Sequence, residues 1–593
     1  MNAAPEENAR PPRGTFETAL LALTRAIPRQ LSWVDGAGFL LVGLLIYGLV
    51  RLGGEWRAPL NSNFHLDLSL RALPLYTFFS LCRGLAAFSV SLVFTLIYGY
   101  VAARVRFADR VLLPLLDILQ SIPVLGFMPG VVIALAALFP KSNVGLELAA
   151  IVMIFTGQVW NMTFSFYHSL RAIPPDLLEA SQVYRFGWWR RFRRVELPHG
   201  TVGLVWNGMM SMAGGWFFLT INEAFRLGNH DFRLPGVGAY MSVAIDTGDG
   251  RAMFAAVLAM IIMIVVLDQL FWRPLVAWSE RFKFEDQGAA EVAESWVLNL
   301  LRRTQLYVWV GELRERFGDW RESRRGAKPP PEAFATVRAE PSQRTQVVRS
   351  LLLFVPLGAA CLWGSLKLAA LLGELSGGDW LAIVRASLLT LASTTFAVAF
   401  GTIWAVPAGI WIGTSPKVSR FLQPFVQVAA SFPAPMLFPL VLAVLGGVHV
   451  GLGFGSVVLM MLGTQWYILF NVIAGAMSIP HELHEAATMY RFQPWQKWRL
   501  LLLPGVFPHL VTGWVTAAGG AWNASIVSEY VHVAARTRTT DGLGALISQA
   551  ADSGDFPRLA AGVLTMAFVV VVINRIFWKR LYALAERRYA LSR

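Results

Sequence analysis

Cysteine is nearly absent: Cys82 and Cys361 are the only two in 593 residues, too few for a disulfide framework or a thiolate metal cluster. Charge is scarce as well, with Asp, Glu, Lys and Arg making up 15% of the chain against roughly 25% in soluble domains. No Gly-x4-Gly-Lys-Ser/Thr stretch occurs, so the usual loop for cradling nucleotide phosphates is missing. No cluster of His, Cys or carboxylates has metal-ligand or nucleophile spacing, and His168, His199, His481 and His484 are scattered at expected loop ends. These gaps argue against a disulfide-stapled domain, a metal centre, a self-contained ATPase and an ordinary soluble enzyme.

What is present is apolar. Hydrophobic residues make up 55% of the chain, and the mean hydropathy is +0.51. A helix needs about 20 mostly apolar residues to cross a bilayer. Twelve stretches qualify, near 36–54, 75–102, 111–139, 146–168, 201–222 and 251–275, then 350–373, 384–412, 421–446, 450–477, 507–528 and 557–579. The net charge of +14 fits this plan without any nucleic-acid partner, because cytoplasmic loops of membrane proteins collect Lys and Arg. The N-terminal tail, residues 1–35, carries Arg10, Arg13, Arg25 and Arg29 and does not read as a cleaved signal peptide. With that tail in the cytoplasm, Arg104, Arg106 and Arg110 and the run from Arg171 to Arg194 fall on the same side. The expected division is a tail (1–35), a first transmembrane unit (36–279), a cytoplasmic linker (280–346) and a second transmembrane unit (347–593). Within the linker, residues 291–318 suit an amphipathic helix on the headgroups, with Trp296, Leu300, Leu301 and Tyr307 on one face.

An internal repeat decides the architecture. Residues 157–198 align without gaps on 463–504, with 15 identities in 42 positions. The same offset of 306 carries Glu223 onto Glu529, Gly236 and Gly238 onto Gly542 and Gly544, and Asp246-x-Gly-Asp249 onto Asp552-x-Gly-Asp555. Upstream, Ser121-Ile-Pro123 matches Ser431-Phe-Pro433 at an offset of 310. Six spans per copy give both copies the same orientation, related by an axis along the membrane normal. The expected fold is an all-α polytopic membrane protein, about twelve helices as two parallel six-helix repeats.

The repeated loop reads Ile173-Pro-Pro-Asp-Leu-Leu-Glu179-Ala180-Ser181 with Gly187 eight positions after the Glu and Leu197-Pro198 beyond. Its second copy reads Ile479-Pro-His-Glu-Leu-His-Glu485-Ala486-Ala487, with Gln493 in the glycine's place and Leu503-Pro504 beyond. Pro near a helix start and Asp176 in the first turn suit a short helix, which Gly187 is expected to stop. At these residues the chain resembles the permease subunits of bacterial binding-protein-dependent ABC importers, whose signature is a Glu-Ala-Ala loop of this spacing. The departures are Ser181 and Gln493. The resemblance implies a type I importer permease in the bacterial cytoplasmic (inner) membrane, with Glu179, Ala180, Ser181 and Gly187, and Glu485, Ala486, Ala487 and Gln493, forming coupling helices. It further implies two ABC ATPase subunits that use ATP and magnesium while this chain binds neither, and a periplasmic or lipid-anchored substrate-binding protein.

Ionisable and kinking residues inside spans are the remaining candidates. Ser121, Pro123, Ser431 and Pro433 break the third span of each half and rank first for the translocation pathway; Gln158, Asn161 and Gln465 follow, and Trp216, Glu223, Trp522 and Glu529 are further pathway candidates. Asp268 and its repeat mate Asn574 read as interhelical hydrogen-bonding residues. The pattern Trp216-x6-Glu223 and Trp522-x6-Glu529, followed by Gly-x-Gly, looks most like the nitrate, sulfonate and bicarbonate branch, which implies a small anion; fusion of both halves keeps iron as a rival. A pair of carboxylates fits an anion poorly, so Glu223 and Glu529 read more readily as water-exposed or helix-pairing groups. A secondary transporter also explains spans and repeat, but does not require the Glu-Ala loop twice.

Overall fold

The computed structural model describes residues 33–59, 66–105, 108–227, 230–282, 296–297, 359, 362–533 and 536–589. The chain divides into one compact unit of residues 1–51 with 293–354 and another of 52–292 with 355–593. Helix α1, Trp33–Arg57, covers the first expected span. Apart from two residues, the expected linker helix lies outside the described residues.

The second unit holds both repeats. In the first, α2 is Leu73–Arg104, α3 Asp109–Ser121, α4 Val124–Leu138, α5 Val144–Arg171 and α6 Pro175–Val183. Then come α7, Leu197–Asn222, a hairpin of β1 (Ala224–Leu227) and β2 (His230–Arg233), α8 (Val237–Thr247) and α9 (Gly250–Leu267). The second repeat follows the same order, with α10 Gly377–Thr414, α11 Pro416–Ser431, α12 Phe438–Gly447, α13 Leu452–Met477, α14 His481–Met489 and α15 Leu503–Ser528. It closes with β3 (Tyr530–Val533), β4 (Arg536–Thr539), α16 (Leu543–Ser553) and α17 (Phe556–Ile573). Both hairpins are antiparallel, and their registers, Ala224↔Arg233 and Tyr530↔Thr539, are themselves repeat mates.

Local chemistry explains the repeated punctuation. Gly248 and Gly554, at φ +69 and +70, are the left-handed residues that end α8 and α16, where a side chain would be strained. One residue later, Asp249 and Asp555 cap α9 and α17 by accepting backbone N–H bonds. A wide turn interrupts the helix at Asp268–Trp272 and again at Asn574–Trp578, and likewise at Phe192–Glu196 and Trp498–Leu502. Such π turns recur at functional positions in helices.

Seven of the described helical stretches are long and apolar enough to cross a membrane. They are α2, α5, α9 with its extension to Ser279, α10, α13, α15 with its lead from Pro494, and α17 with its extension to Tyr589. The third span is broken in both halves, at the prolines where the sequence places the breaks. In the second, α11 and α12 form a bent pair, turned by 84°; in the first, α3 stops at Ser121 and α4 starts at Val124. Proline supplies the reason, since Pro123 and Pro433 disfavour helical geometry in the residue before them and lack the N–H that would continue the ladder. The span expected near 201–222 is α7, which is rich in glycine and small polar residues and buried along much of its length. Of the span expected near 350–373, Leu362–Leu372 is helical, and its start lies outside the described residues.

Within each half, α5 packs against α2 and α7, and α13 against α10 and α15. The broken helices cross over: α4 packs on α15 and α17 of the second half, and α11 on α7 and α9 of the first. One buried core therefore runs through both halves, joining Trp216, Leu219 and Tyr240 to Met436, Trp522 and Ile526.

Candidate translocation path and docking loops

Helices α6 and α14 are nine residues each and begin directly after a proline, Pro174 or Pro480, in extended conformation. Both end in one arrangement. The N–H groups of Arg185 and Phe186 return to the carbonyls of Gln182 and Ser181, and those of Arg491 and Phe492 to Thr488 and Ala487. This is the paired closure that needs a left-handed residue, and Arg185 and Arg491 supply it at φ 50. The expectation that Gly187 stops the helix is therefore corrected. Gly187 and Gln493 are extended, at φ −62 and −63, and a Cβ on Gly187 would meet nothing within 4 Å. Any residue fits there, and Gln493 goes further by forming a reciprocal cap with Gln496. Gly187→Ala should accordingly leave the melting temperature of the purified chain nearly unchanged, as expected of a surface change worth no more than about 0.5 kcal/mol.

Glu179, Ala180 and Glu485 are exposed, and Ala486 is half-buried. Ser181 and Ala487 instead turn inward, at 3% and 5% exposure, and the Ser181 hydroxyl donates to the Leu178 carbonyl at 2.6 Å. Ser in place of Ala thus leaves the outer face unchanged. Around each loop the same large side chains stand in the open: Tyr184 at 74% and Tyr490 at 79%, with Val183 matched by Met489 and Trp189 by Trp495. His481 Nδ1 lies 3.2 Å from Glu485. Partial burial, then Lys497 and His481, hold the His484 imidazole below its ordinary pKa, so it is neutral at neutral pH. In the first half Glu196 lies buried between Arg104 (3.0 Å) and Arg191 (3.2 Å), tying the loop to α2.

At the opposite end of the helices the two hairpins meet. Thr220, Ser242 and Asp246 of the first half and Ile526, Tyr530 and Asp552 of the second line one cleft of about 260 Å³. The two docking loops consequently share the other end. Asp552 accepts from Tyr530 Oη at 2.7 Å and lies 3.4 Å from His532 Nε2, and Asp246 is paired with Arg233 at 2.7 Å.

Between the halves lies a cavity of about 1170 Å³. The first half contributes α5 and α7 and the second α10, α13, α15 and α17 with its extension; the two helix breaks reach its wall at Val124 and at Phe432 and Ala434. Asn523 of α15 accepts the Val124 N–H at 2.7 Å, so the second half caps the helix that Pro123 begins. Asn523→Leu would leave that N–H without its acceptor at a cost of about 1–3 kcal/mol. A lower melting temperature of the purified chain is expected, with Asn523→Asp, which keeps an acceptor, restoring most of it.

The Trp-x6-Glu pattern proves to be internal scaffolding. Arg83 of α2 donates to Glu147 at 2.6 and 2.7 Å, to Glu223 at 2.7 Å and to the Pro235 carbonyl at 2.8 Å. The side chains of Arg83, Glu147 and Glu223 are fully buried. Glu223 also accepts from Ser80 Oγ (2.6 Å) and the Gly238 N–H (2.8 Å) at the start of α8, where a helix favours negative charge. In the second half Glu529 takes the same post on α16, accepting from Thr390 Oγ1 (2.8 Å) and the Gly544 N–H (2.8 Å). The Gly-x-Gly that follows is explained by space. A Cβ on Gly236 or Gly542 would collide with that carboxylate, and one on Gly238 would sit 2.5 Å from the Thr220 carbonyl. The alternative of water-exposed carboxylates is corrected: Glu223 and Glu529 are buried at 0% and 1% exposure.

The other candidates divide. Asn161 and Trp522 line the large cavity. Trp216, the mate of Trp522, is buried and would be the first atom met by a Cβ on Gly84, at 2.7 Å. Gln158 is buried with its amide nitrogen 3.4 Å from the Met212 sulfur, and Gln465 accepts from Trp404 Nε1 at 2.9 Å; neither is on the cavity wall. Pro123 and Pro433 are buried beside it, while Ser431 borders a small gap shared with Asp268 and Gln427. Ser121 ends α3, and its side chain is outside the described residues. Asp268 bonds across the halves to Gln427 Nε2 at 3.3 Å, an interhelical role, whereas Asn574 lies on the cavity wall. Asn523, Arg83 and Glu147 were not singled out by the sequence. A lone Arg inside the apolar stretch 75–102 is the signal that points to Arg83 and to buried carboxylate partners.

Two like-oriented helical repeats, each with a broken third helix and the same end loop, define a polytopic membrane protein built as a fused pair. Residues 91–271 and again 405–590 match the family described as binding-protein-dependent transport system inner membrane component, and the chain belongs to that family, with its domain present twice. It is similar to the taurine transport permease TauC of Escherichia coli, 24% identical over 32% of this chain and 65% of that one. It is also similar to the diacetylchitobiose uptake permease NgcG of Streptomyces coelicolor, at 24% over 41% and 79%. The bicarbonate transport permease CmpB of Synechocystis is 25% identical over 24% of this chain and 50% of its own. The chain thus spans between half and four-fifths of the length of these relatives.

Proposed function

We propose that this chain supplies both membrane halves of an ATP-driven importer, and that α6 and α14 are the helices that seat in two ABC ATPase subunits. The supporting observation is the pair of equivalent knobs at one end of the bundle: Glu179-Ala180 and Glu485-Ala486, exposed or half-buried and flanked by exposed Tyr184 and Tyr490. Exposed apolar and aromatic side chains clustered on one surface mark a protein interface, and a small-residue face lets a partner approach closely. Closure of the ATPase pair on ATP and magnesium would press both knobs, and the crossed broken helices would pass the motion to the cavity walls. The loop end faces the cytoplasm of a bacterial inner membrane, and the hairpin end receives solute from an external binding protein.

The relatives' names cover a zwitterion, a neutral disaccharide and an anion, so they point to no single substrate chemistry. The small anion expected from the sequence stands as the alternative that an uptake assay decides. Proteoliposomes holding this chain with its ATPase subunits and binding protein should take up solute only with ATP. Uptake that persists without the ATPase subunits would overturn the reading in favour of a secondary transporter.

A further inference from the structure

The wall of the large cavity is aromatic and uncharged among the described residues. Among the described residues it carries no Lys, Arg, Asp or Glu, and its only imidazole is His168. Thirteen of the lining residues are Phe, Tyr or Trp, including Trp160, Trp466, Trp514 and Trp522. Between these rings stand neutral polar groups: the Thr156 and Thr516 hydroxyls donate to their own helices and keep acceptor lone pairs, and the amide of Asn161 lies on the same wall. The cleft at the hairpin end adds Asp246, which is paired with Arg233, and Asp552, which lies beside His532.

An anion entering this route would shed water with no fixed cation to replace it, whereas anion-selective pores are built with Arg or Lys. The rings make this worse for an anion, because aromatic faces are negative and favour cations. The same faces offer stacking surface, and the Thr156 and Thr516 oxygens can accept from ring N–H or hydroxyl groups beside the amide of Asn161. The volume, about 1170 Å³, is ample for an organic solute of drug size. We infer that the permeant is a planar heteroaromatic solute with no net negative charge, held in transit by stacking and neutral hydrogen bonds. The inference rests on the permease reading above and names its substrate class.

The test needs no knowledge of the natural solute. Thr516, on the wall in α15, is replaced as Thr516→Cys in a chain whose two native cysteines are removed by Cys82→Ala and Cys361→Ala. The purified chain in lipid nanodiscs is labelled with a trimethylammonium-ethyl or a sulfonato-ethyl methanethiosulfonate, each normalised to its rate on free cysteine. The cationic reagent is expected to react at least about tenfold faster. Caffeine and nicotinamide at millimolar concentration are expected to slow the labelling at least about threefold, and nitrate and bicarbonate to leave it unchanged. Equal rates for the two reagents, protection by the anions instead of the rings, or protection by neither overturns the inference. Loss of ATP dependence in the uptake assay would instead strike the permease reading and leave the labelling pattern as it is, so the two failures are distinguishable.

Discussion

A chain carrying Glu179→Lys together with Glu485→Lys should reach the membrane intact, yet lose at least about a hundredfold in ATP-driven uptake. Both carboxylates stand on exposed surface, so reversing their charge costs the isolated fold little. At a docked interface, each like-charge juxtaposition costs several kcal/mol, and 1.4 kcal/mol is already tenfold. The ATPase subunits should fail to co-purify, while labelling of Thr516→Cys is unchanged because the cavity is intact. Each single reversal should retain part of the activity, since the second knob still seats. Full uptake in the double variant would show that these loops do not carry the coupling.

Arg83→Met should have the largest effect on stability. Arg83 is the shared ion-pair partner of two carboxylates that are as buried as it is, and removing one partner of a buried charge group costs about 3–5 kcal/mol. A sharp fall in membrane yield and in melting temperature in detergent is expected. Removing the two buried carboxylate charges as well should relieve the penalty, so Arg83→Met combined with Glu147→Gln and Glu223→Gln should recover most of the loss. Glu529→Gln offers the contrast. Among the described residues no Arg or Lys is bonded to Glu529, which keeps Thr390 and the Gly544 N–H as partners, so that variant should cost much less than Arg83→Met. Equal losses for Arg83→Met and Glu529→Gln would contradict the assignment of the charge group.

These expectations trace what the sequence discloses and what it hides. The repeat is plain in the sequence because its strongest part, 157–198 on 463–504, spans the end of α5, all of α6 and the start of α7, elements set by local proline and capping chemistry. The breaks at Pro123 and Pro433 are legible for the same reason. Distances across the bundle are not. Arg83 meets Glu147 and Glu223 across 64 and 140 residues, and a run of apolar letters gives no hint of which face of α2 points inward. Gly187 misled because the left-handed position that ends α6 is filled by Arg185, a residue type that does not advertise that conformation. The Glu223 pattern was legible as a motif but not in its purpose. Only packing reveals that a carboxylate fills the space over Gly236 and Gly238.

The most direct measurement replaces Glu179, and separately Glu485, with a photo-reactive amino acid in the full chain, illuminates native membranes and identifies the adducts by mass spectrometry. Both positions should capture the nucleotide-hydrolysing subunit, and neither should capture lipid. Adducts with lipid alone, or capture from one position only, would contradict a permease driven through two equivalent loops.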